Sequence, residues 1–269
     1  MIKPVLKTVG GKTRLLDELI SRVPSKYGRY FEPFFGGGAL FFRLQPERAV
    51  IGDLNADLVA FYLALRDDVE MVIKYAEQHR EQHGSGHYYA TRATWNAENR
   101  RVWSPAYRAA TYLYLNKSCF NGLWRVNKSG EFNVPIGRYK TLSLPSPEQL
   151  RVTSKALTNT TIMHAGFATT LKNAKAGDFV YLDPPYVPVS ETSDFTSYTQ
   201  DGFSLDDQRA LATTARLLVS RGVHVLLSNS DAPIVRELYD GFTIDTVRCG
   251  RSINSKADRR GDVNEVIIR

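Results

Sequence analysis

The spacing of apolar residues divides the chain into short apolar runs that alternate with segments of helical periodicity. Short runs rich in apolar and β-branched residues predict strands at 30–34, 49–53, 160–164, 179–182 and 223–227. Apolar positions three or four residues apart predict helices at 11–23, 38–44, 56–80, 105–116, 168–174, 204–221 and 231–239. Ser204 is the predicted N-cap of the long helix at 204–221, with Asp207 in its first turn.

Parts of the chain depart from this alternation. The last two apolar runs, 242–248 and 262–268, predict an antiparallel hairpin with a basic tip. Two glycines and two histidines at 82–87 predict a loop, and glycines and prolines make 117–145 irregular.

The length of the chain, 269 residues, suits one large α/β domain with an insert, and 43% hydrophobic residues are enough for a core. We therefore predict an α/β protein with a Rossmann-like sheet and a C-terminal β-hairpin. The sheet domain is assigned to 1–57 and 146–269. A mainly helical insertion is assigned to 58–145.

The cysteine count and the terminal sequence exclude several classes of protein. Cys119 and Cys249 are too few for a disulfide framework, and no Cys/His cluster has zinc-ligand spacing, so no metal is predicted. No apolar stretch approaches the roughly 18 residues of a membrane span. The terminus Met1-Ile2-Lys3-Pro4 lacks the pattern of a signal peptide. We expect a protein of the reducing cytoplasm, without membrane association.

The positive charge is concentrated in one segment of the chain. The whole chain has a formal net charge of +7, and residues 100–140 contain eight basic residues and only one acid, Glu131. Eight aromatic residues are interleaved with these charges. A basic, aromatic-rich stretch is what a nucleic-acid groove requires. The alternative is a solvated helix face above core aromatics.

The tetrapeptide Asp183-Pro184-Pro185-Tyr186 directly follows the apolar run 179–182, at the end of a predicted strand, where α/β sheets bind ligands. Its chemistry suits methylation of an amine that is a poor nucleophile, such as the exocyclic amine of adenine. The Asp183 carboxylate and the Pro184 carbonyl would each accept a hydrogen bond from the amine. The Tyr186 ring would provide a stacking surface. The alternative is a proline turn with a capping Asp.

A second group of residues suits a nucleoside-bearing cofactor. Glycines at 36–38 lie between a strand and a helix, where the backbone can approach a ligand closely. Asp53 ends the next strand and is placed to accept from ribose hydroxyls. Leu54 and Phe167 each follow a strand and are candidates to sandwich an adenine. The turn lacks dinucleotide spacing, so S-adenosylmethionine fits best. A purely structural glycine turn is the alternative.

The order of these motifs resembles that of the Dam-type DNA adenine-N6 methyltransferases. A Glu-Pro-Phe-x-Gly-x-Gly segment at 32–38 precedes the basic insert, and Asp-Pro-Pro-Tyr follows it. The segment 133–140, Asn-Val-Pro-x-Gly-Arg-Tyr-Lys, is the more family-specific part. The likeness covers nearly the whole chain and includes 10–12, 114–125, 195–198 and 251–253. The resemblance implies a methyltransferase sheet with a target-recognition insertion.

The resemblance also implies which residues hold the cofactor. The glycine motif and the acid after the second strand bind S-adenosylmethionine in the family, which implies Glu32, Phe34, Gly36, Gly38 and Asp53. Residues near the start of the chain are implied close to the cofactor and the first target base, namely Lys7, Gly10, Gly11 and Lys12. Asp183 is expected to touch the cofactor as well as the target amine.

In the family the insert reads GATC in double-stranded DNA. Arg125 is then expected to contact a guanine, as arginine does through two parallel hydrogen bonds. Phe120 matches an aromatic residue that inserts into the base stack, whereas Trp124 stands where the family has a small residue. Apolar base contacts and contacts to phosphates or flanking bases are implied for Leu123, Pro135, Asn121, Asn133, Arg138 and Lys140.

Competing functions remain open from the sequence. The same motif serves methylation of cytosine N4, of adenine in RNA, or of a side-chain amide. A non-catalytic DNA-binding protein is a third possibility. The five histidines show no partner pattern, so surface or core roles are expected for them. Duplex DNA is the expected partner, with no obligate protein partner evident, in the nucleoid of a bacterium or from a phage that acts there.

Overall fold

The computed structural model describes residues 2–8, 10–97, 102–139, 141–188, 203–250 and 262–269. Contacts within the chain define two compact units. The first unit comprises Met1–Gly11, Gly36–Gln45 and Asp53–His164. The second comprises Lys12–Phe35, Pro46–Gly52 and Ala165–Arg269. The assignment of a sheet domain to 1–57 and 146–269, and of an insertion to 58–145, stays a prediction.

Strands and helices alternate along the described residues, which confirms the predicted α/β class. The strands are β1 (Tyr30–Glu32), β2 (Ala49–Asp53), β3 (Thr160–His164), β4 (Phe179–Leu182), β5 (His224–Ser230), β6 (Ile244–Gly250) and β7 (Asp262–Ile268). The helices are α1 (Leu16–Ile20), α2 (Ala39–Leu44), α3 (Ala56–Asp67), α4 (Val69–Glu81), α5 (Ser85–Asn96), α6 (Pro105–Ser118), α7 (Pro147–Leu157), α8 (Phe167–Leu171), α9 (Leu205–Ser220) and α10 (Pro233–Leu238). Two 3₁₀ turns, Lys12–Arg14 and Phe120–Gly122, carry predicted site residues.

The sheet of the second unit has a parallel part and an antiparallel edge. Within this unit the strand order is β2-β1-β4-β5-β7-β6. β1 pairs in parallel with β2 and β4, and β4 pairs in parallel with β5. β7 is antiparallel to β5 and β6, which confirms the predicted C-terminal hairpin. The chain passes from β1 to β2 on one side, and β4 lies on the other side. Ligands of open α/β sheets bind at such a reversal.

The core of the second unit forms where apolar strand residues meet α9. All four residues of β4 are buried, as expected for a parallel strand covered on both faces. Val180 and Leu182 pack in one cluster with Leu211 and Ala215 of α9. The N-terminus of α9 is closed by a capping box between Ser204 and Asp207. The predicted cap is therefore confirmed. The packing of β4 against α9 fixes the strand and so the position of Asp183, which directly follows it.

The first unit is mainly helical, with α6 packed against α3, α4 and α5. Beyond α6 the chain turns back on itself in a short irregular hairpin, residues 119–137. Isolated bridges join Cys119 to Ile136 and Val126 to Phe132 in this 119–137 hairpin. The hairpin is the part of the unit that contains most of the predicted DNA-reading residues.

The single helix predicted at 56–80 is in fact two helices, α3 and α4. Asp68 separates them because its backbone leaves the helical region, at φ −148° and ψ 60°. Its side chain then caps α4 by accepting from the backbone N–H of Met71 at 3.4 Å. Apolar spacing alone does not show such a break, since both helices bury the same kind of residue.

The predicted loop at 82–87 is also wrong in part, because α5 already begins at Ser85. The buried face of α5 consists of Tyr88, Thr91 and Trp95, so a polar threonine interrupts the apolar pattern. α7 was not predicted at all. Its start carries a capping box between Ser146 and Gln149, a signal that the sequence contains.

His79 and His87 of the first unit form a polar pair, in which His79 is buried and His87 is half-buried. His79 Nδ1 lies 2.9 Å from His87 Nε2, and His79 Nε2 lies 3.1 Å from the Thr111 hydroxyl. That hydroxyl donates to the Tyr107 carbonyl, so it accepts from His79, and His79 Nδ1 in turn accepts from His87. Burial, reinforced by His87, lowers the pKa of His79 to about 4. The ring is therefore neutral near pH 7 and serves to pack α4 against α6.

No helix within the described ranges is long and apolar enough to cross a membrane.

Candidate active site and DNA interface

Asp183 directly follows β4, and its carboxylate is held through one oxygen. Oδ1 lies 2.8 Å from the Lys12 ammonium and accepts from the Ser228 hydroxyl at 2.9 Å. Ser228 belongs to β5, which pairs with β4, so the carboxylate is fixed to the strand framework. Within the described part of the chain both partners are on Oδ1. Oδ2 is therefore left as an acceptor for a further donor.

The protonation of Asp183 reflects two opposing effects. Burial raises its pKa, whereas the Lys12 charge and the hydrogen bonds from Lys12 and Ser228 lower it. Burial is the largest of these effects, and the pKa lies above its usual value. A partly buried carboxylate of this kind is typical of functional sites.

The backbone after Asp183 is held by hydrogen bonds on both sides of Tyr186. The Pro185 carbonyl accepts from Gln208 Nε2 at 2.8 Å, and the Val187 N–H donates to Asn229 Oδ1 at 3.2 Å. No donor from the described residues reaches the Pro184 carbonyl. Pro184 therefore presents an acceptor whose direction is fixed by its neighbours, consecutive in sequence with Asp183.

The Tyr186 side chain is held through its hydroxyl and through one face of its ring. Its hydroxyl donates to Glu265 Oε2 at 2.8 Å, and Lys12 Nζ lies 4.5 Å from the ring centroid. Burial raises the pKa of Tyr186 well above its usual value, and the nearby Asp183 carboxylate adds to this. The phenol therefore stays protonated and remains a donor. Lys12, predicted near the cofactor, thus lies within the Asp-Pro-Pro-Tyr group.

Residues that follow β1 and β3 contribute aromatic surface in the second unit. Phe34 stacks on Phe167 at 5.9 Å between centroids, and Phe203 contacts both rings. Glu32 is buried at the end of β1, where its carboxylate accepts from the Tyr30 hydroxyl at 2.8 Å. The structure thus brings Phe34 and Phe167 together, and Glu32 is buried two residues before Phe34.

In the first unit, Asp53 joins the end of β2 to the glycine turn. Its Oδ2 accepts from the Gly36 N–H at 2.9 Å, and its Oδ1 accepts from the Asn55 N–H at 2.8 Å. Burial raises the pKa of Asp53, and the donors from Asn55, Gly36 and Leu54 oppose that effect. A carboxylate has about four acceptor sites, so at least one remains for a hydroxyl of a ligand.

The same turn has room for a ligand. Gly36 and Gly38 have φ of 47° and 64°, which favour glycine. No atom of the described residues lies within 4 Å of the position that a Cβ on Gly36 would take. Leu54, next to Asp53, is 66% exposed, although it is apolar. An open glycine turn, a carboxylate and an exposed leucine fit the sugar and base of a nucleoside-bearing cofactor.

Lys7 is tied to α6 and to the 119–137 hairpin. Its N–H and carbonyl both pair with the Asn116 amide at 2.8 Å, and its ammonium contacts Tyr139. A Cβ on Gly122 would lie 2.5 Å from the Lys7 side chain, so this position requires glycine. Gly10 has a φ of 76°, and Gly11 lies beside the Thr8 carbonyl. Of this group, Lys12 alone lies in the second unit.

Predicted DNA-reading residues lie on the surface of the 119–137 hairpin and next to it. Arg125 is exposed, and its Nε donates to Asn133 Oδ1 at 3.1 Å across the hairpin. Leu123 is half-buried. The other exposed members are Phe120, Asn121, Pro135 and Arg138. Lys140 lies outside the described residues. A largely exposed set with a planar cationic group is the arrangement that direct base reading requires.

Trp124 explains how the hairpin is held in place. Its ring stacks on Phe132 at 4.4 Å and contacts Tyr112 and Trp95 at 4.1 and 5.5 Å. The tryptophan thus packs the hairpin onto α5 and α6. Only the tertiary structure shows this packing role of Trp124, because the family has a small residue at this position.

Four polar residues that the sequence did not single out support the site. They are Gln208, Ser228, Asn229 and Glu265. A signal for two of them exists, since Ser228 and Asn229 are polar residues that directly follow the apolar run 225–227 and are buried in β5. Buried polar groups require partners, so such positions mark a supporting network.

The site contains an open carboxylate oxygen, a proline carbonyl and a fixed aromatic ring, all at the end of a parallel strand. This arrangement defines an α/β methyltransferase that acts on amino groups. The chain belongs to the D12 class N6 adenine-specific DNA methyltransferase family, whose model matches residues 9–253. The resemblance inferred from the motifs is thereby confirmed, and the protein is an adenine-specific DNA methyltransferase.

Relatives match over nearly the full length of the chain. A relative from Lactococcus lactis subsp. cremoris, named Type II methyltransferase M1.LlaDCHI, is 41% identical over 269 residues, which is 99% of this chain and 95% of the relative. Type II methyltransferase M.MjaIII of Methanocaldococcus jannaschii is 40% identical, covering 99% and 98% of the two chains. A DNA adenine methylase of Haemophilus influenzae is 35% identical, covering 98% and 92%.

Proposed function

We propose that this enzyme transfers a methyl group from S-adenosylmethionine to the adenine amine of GATC in double-stranded DNA. The observation that carries the catalytic part is the pair of open acceptors on consecutive residues. Asp183 Oδ2 and the Pro184 carbonyl are both without internal donors from the described residues, while Asp183 Oδ1 and the Pro185 carbonyl are bonded. An exocyclic amine has two N–H donors and matches such a pair.

The target adenine must leave the duplex before it reaches these acceptors, at a cost of about a few kcal/mol for unstacking. The flipped base stacks on the Tyr186 ring. Asp183 and Pro184 accept from the amine and turn its lone pair away from the ring plane. When bound, S-adenosylmethionine supplies an electrophilic methyl group. The amine nitrogen would gain a bond to the methyl carbon as the carbon–sulfur bond of the cofactor breaks and the neutral thioether leaves. The nitrogen would then lose a proton, which Asp183 is placed to accept.

We assign cofactor binding to the glycine-bearing segments 10–12 and 32–38 and to residues near them. Asp53 accepts from the ribose hydroxyls and keeps the Gly36 turn in shape, as its hydrogen bond to Gly36 supports. Leu54 and Phe167 contact the adenine of the cofactor. The remaining proposed contacts are Lys7, Gly10, Gly11, Lys12, Glu32, Phe34, Gly38 and Asp183.

DNA reading is assigned to the insertion at 58–145. Arg125 contacts a guanine in the major groove, and Phe120 enters the base stack. Leu123 and Pro135 make apolar contacts, and phosphates or flanking bases are contacted by Asn121, Asn133, Arg138 and Lys140. The exposure of most of these side chains within the described residues supports contact with DNA. The similarity of 133–140 to the Dam-type family supports GATC as the site.

The proposed function is tested by transfer of labelled methyl groups to DNA. A duplex with one GATC site should be labelled. The same duplex with both adenines already N6-methylated, and a duplex with a scrambled site, should stay unlabelled. Equal labelling of the scrambled duplex would contradict GATC and leave adenine methylation intact. Labelling of cytosine or of RNA instead would contradict the proposed substrate.

Arg125→Ala should weaken discrimination at one base pair of the site. The guanidinium offers two parallel donors to guanine, and their loss costs about 1–3 kcal/mol at that position. The measurement is kcat/KM on a set of duplexes with each base pair of the site replaced in turn. Lys128→Ala, an exposed basic residue of the same hairpin, is the control and should preserve the ranking. A uniform loss on every duplex would make Arg125 a phosphate contact.

A further inference from the structure

Glu265 of β7 accepts a hydrogen bond from the Tyr186 hydroxyl of the Asp-Pro-Pro-Tyr group. We propose that Glu265 is a positioning residue, which holds the Tyr186 ring at the angle required for the flipped adenine to meet Asp183 and Pro184. This inference rests on the proposed function, because it concerns how that site receives its base. Nothing in the sequence pattern indicated it, since 79 residues separate Tyr186 from Glu265.

The hydrogen bond from the Tyr186 hydroxyl to Glu265, here called the tether, is anchored in a rigid part of the sheet. Glu265 lies in β7, opposite Ser230 of β5 and Val247 of β6 in the strand register. The three residues that follow it, 266–268, are at most 1% exposed. A carboxylate on a strand that is paired on both sides and buried beyond it has little freedom to move. It therefore provides a fixed point for the Tyr186 hydroxyl.

The tyrosine needs such a point because its backbone alone does not orient the ring. The bonds of Gln208 to Pro185 and of Asn229 to Val187 fix the main chain on both sides of Tyr186. Rotation about the two side-chain bonds remains possible. The 2.8 Å hydrogen bond from the hydroxyl to Glu265 removes this freedom. The raised pKa of the Tyr186 phenol keeps the hydroxyl protonated, so the bond persists across the neutral range.

The ring angle matters because it sets the plane of the stacked base. Lys12 lies over the ring at 4.5 Å from its centroid and contacts Asp183 at 2.8 Å, so the ring and the carboxylate share one small space. A base that stacks at a different angle presents its amine away from Asp183 Oδ2. Loss of the tether should therefore slow the methyl-transfer step, and it should leave cofactor affinity unchanged.

The experiment compares single-turnover methylation rates of four variants with the wild type. Glu265→Ala and Tyr186→Phe each remove the hydrogen bond, and each should lower the rate on the order of 10-fold to 100-fold. Their double variant should be no slower than the slower single variant, because both changes remove the same contact. Glu265→Gln keeps an oxygen acceptor and should recover most of the rate.

Controls separate positioning from folding. Asn264→Ala changes the exposed neighbour of Glu265 on the same strand and should behave like the wild type. Glu265→Ala should melt within a few degrees of the wild type and should bind cofactor equally well by calorimetry. 2-Aminopurine in place of the target adenine reports base flipping by its fluorescence. The fluorescence should rise on binding in every variant, but the final level in Glu265→Ala should differ from that of the wild type because the base stacks at a different angle.

Two results would overturn the inference. Wild-type kinetics in Glu265→Ala would show that the tether is dispensable. Additive losses in the double variant would show that Glu265 and Tyr186 act separately. Failure of the proposed function looks different, because the wild-type enzyme itself would then fail to methylate adenine in a GATC duplex.

Discussion

Asp183→Ala is expected to lower the rate of methyl transfer on the order of 1,000-fold, with cofactor binding still measurable. The reason is that Asp183 supplies the only charged acceptor proposed for the target amine, through its Oδ2. Loss of one preorganised hydrogen-bonding partner at a reacting centre costs about 10²- to 10³-fold. Here the change also leaves the Lys12 ammonium without its 2.8 Å partner. The measurement is a single-turnover assay on a GATC duplex beside a cofactor titration.

Ser228→Ala is the matched control for this prediction. It removes the hydroxyl that donates to Asp183 Oδ1 and leaves the carboxylate itself in place. A loss much smaller than that of Asp183→Ala is expected, because the Lys12 contact still holds Oδ1. Retention of substantial turnover by Asp183→Ala would refute the catalytic role proposed for this carboxylate.

Asp53→Ala is expected to weaken cofactor binding on the order of 100-fold. The side chain accepts from two backbone N–H groups and is proposed to accept from the ribose as well. Hydrogen bonds to a charged group contribute about 1.5–3 kcal/mol each, and the Gly36 N–H loses its partner when the carboxylate is removed. The measurement is the dissociation constant of S-adenosylmethionine by calorimetry, without DNA.

Asp53→Asn provides the intermediate case, because one oxygen acceptor remains while the charge and the second acceptor are lost. Its affinity should lie between those of the wild type and Asp53→Ala. DNA binding by Asp53→Ala should stay close to that of the wild type, since the 119–137 hairpin is unchanged. Equal cofactor affinity of wild type and Asp53→Ala would show that the ribose is bound elsewhere.

Local patterns in the sequence were sufficient to locate most of the strands and the chemistry at their ends. Residues 179–182 form an unbroken apolar run that Asp183 and two prolines end abruptly, and β4 has these bounds in the structure. The cap of α9 was found for the same reason, since Ser204 and Asp207 are three residues apart. Strand periodicity and capping both depend on residues that are close in sequence.

The errors occurred where packing outweighs local pattern. α5 buries Thr91 between Tyr88 and Trp95, so its apolar face is interrupted, and the glycines before it suggested a loop. The division of 56–80 at Asp68 depends on one residue that serves both helices as a cap. In both cases the local pattern allows more than one arrangement of the chain, and contacts with neighbouring helices select one of them.

The sequence by itself determined the class of the fold, the order of its motifs and the residues that carry the proposed chemistry. Only the tertiary structure decided which of those residues touch. The contact between Lys12 and Asp183, the one between Ser228 and Asp183, and the tether from Tyr186 to Glu265 all join distant parts of the chain. Their partners are set by which strands lie side by side. Strand order is a property of the folded sheet, and no short segment of sequence encodes it.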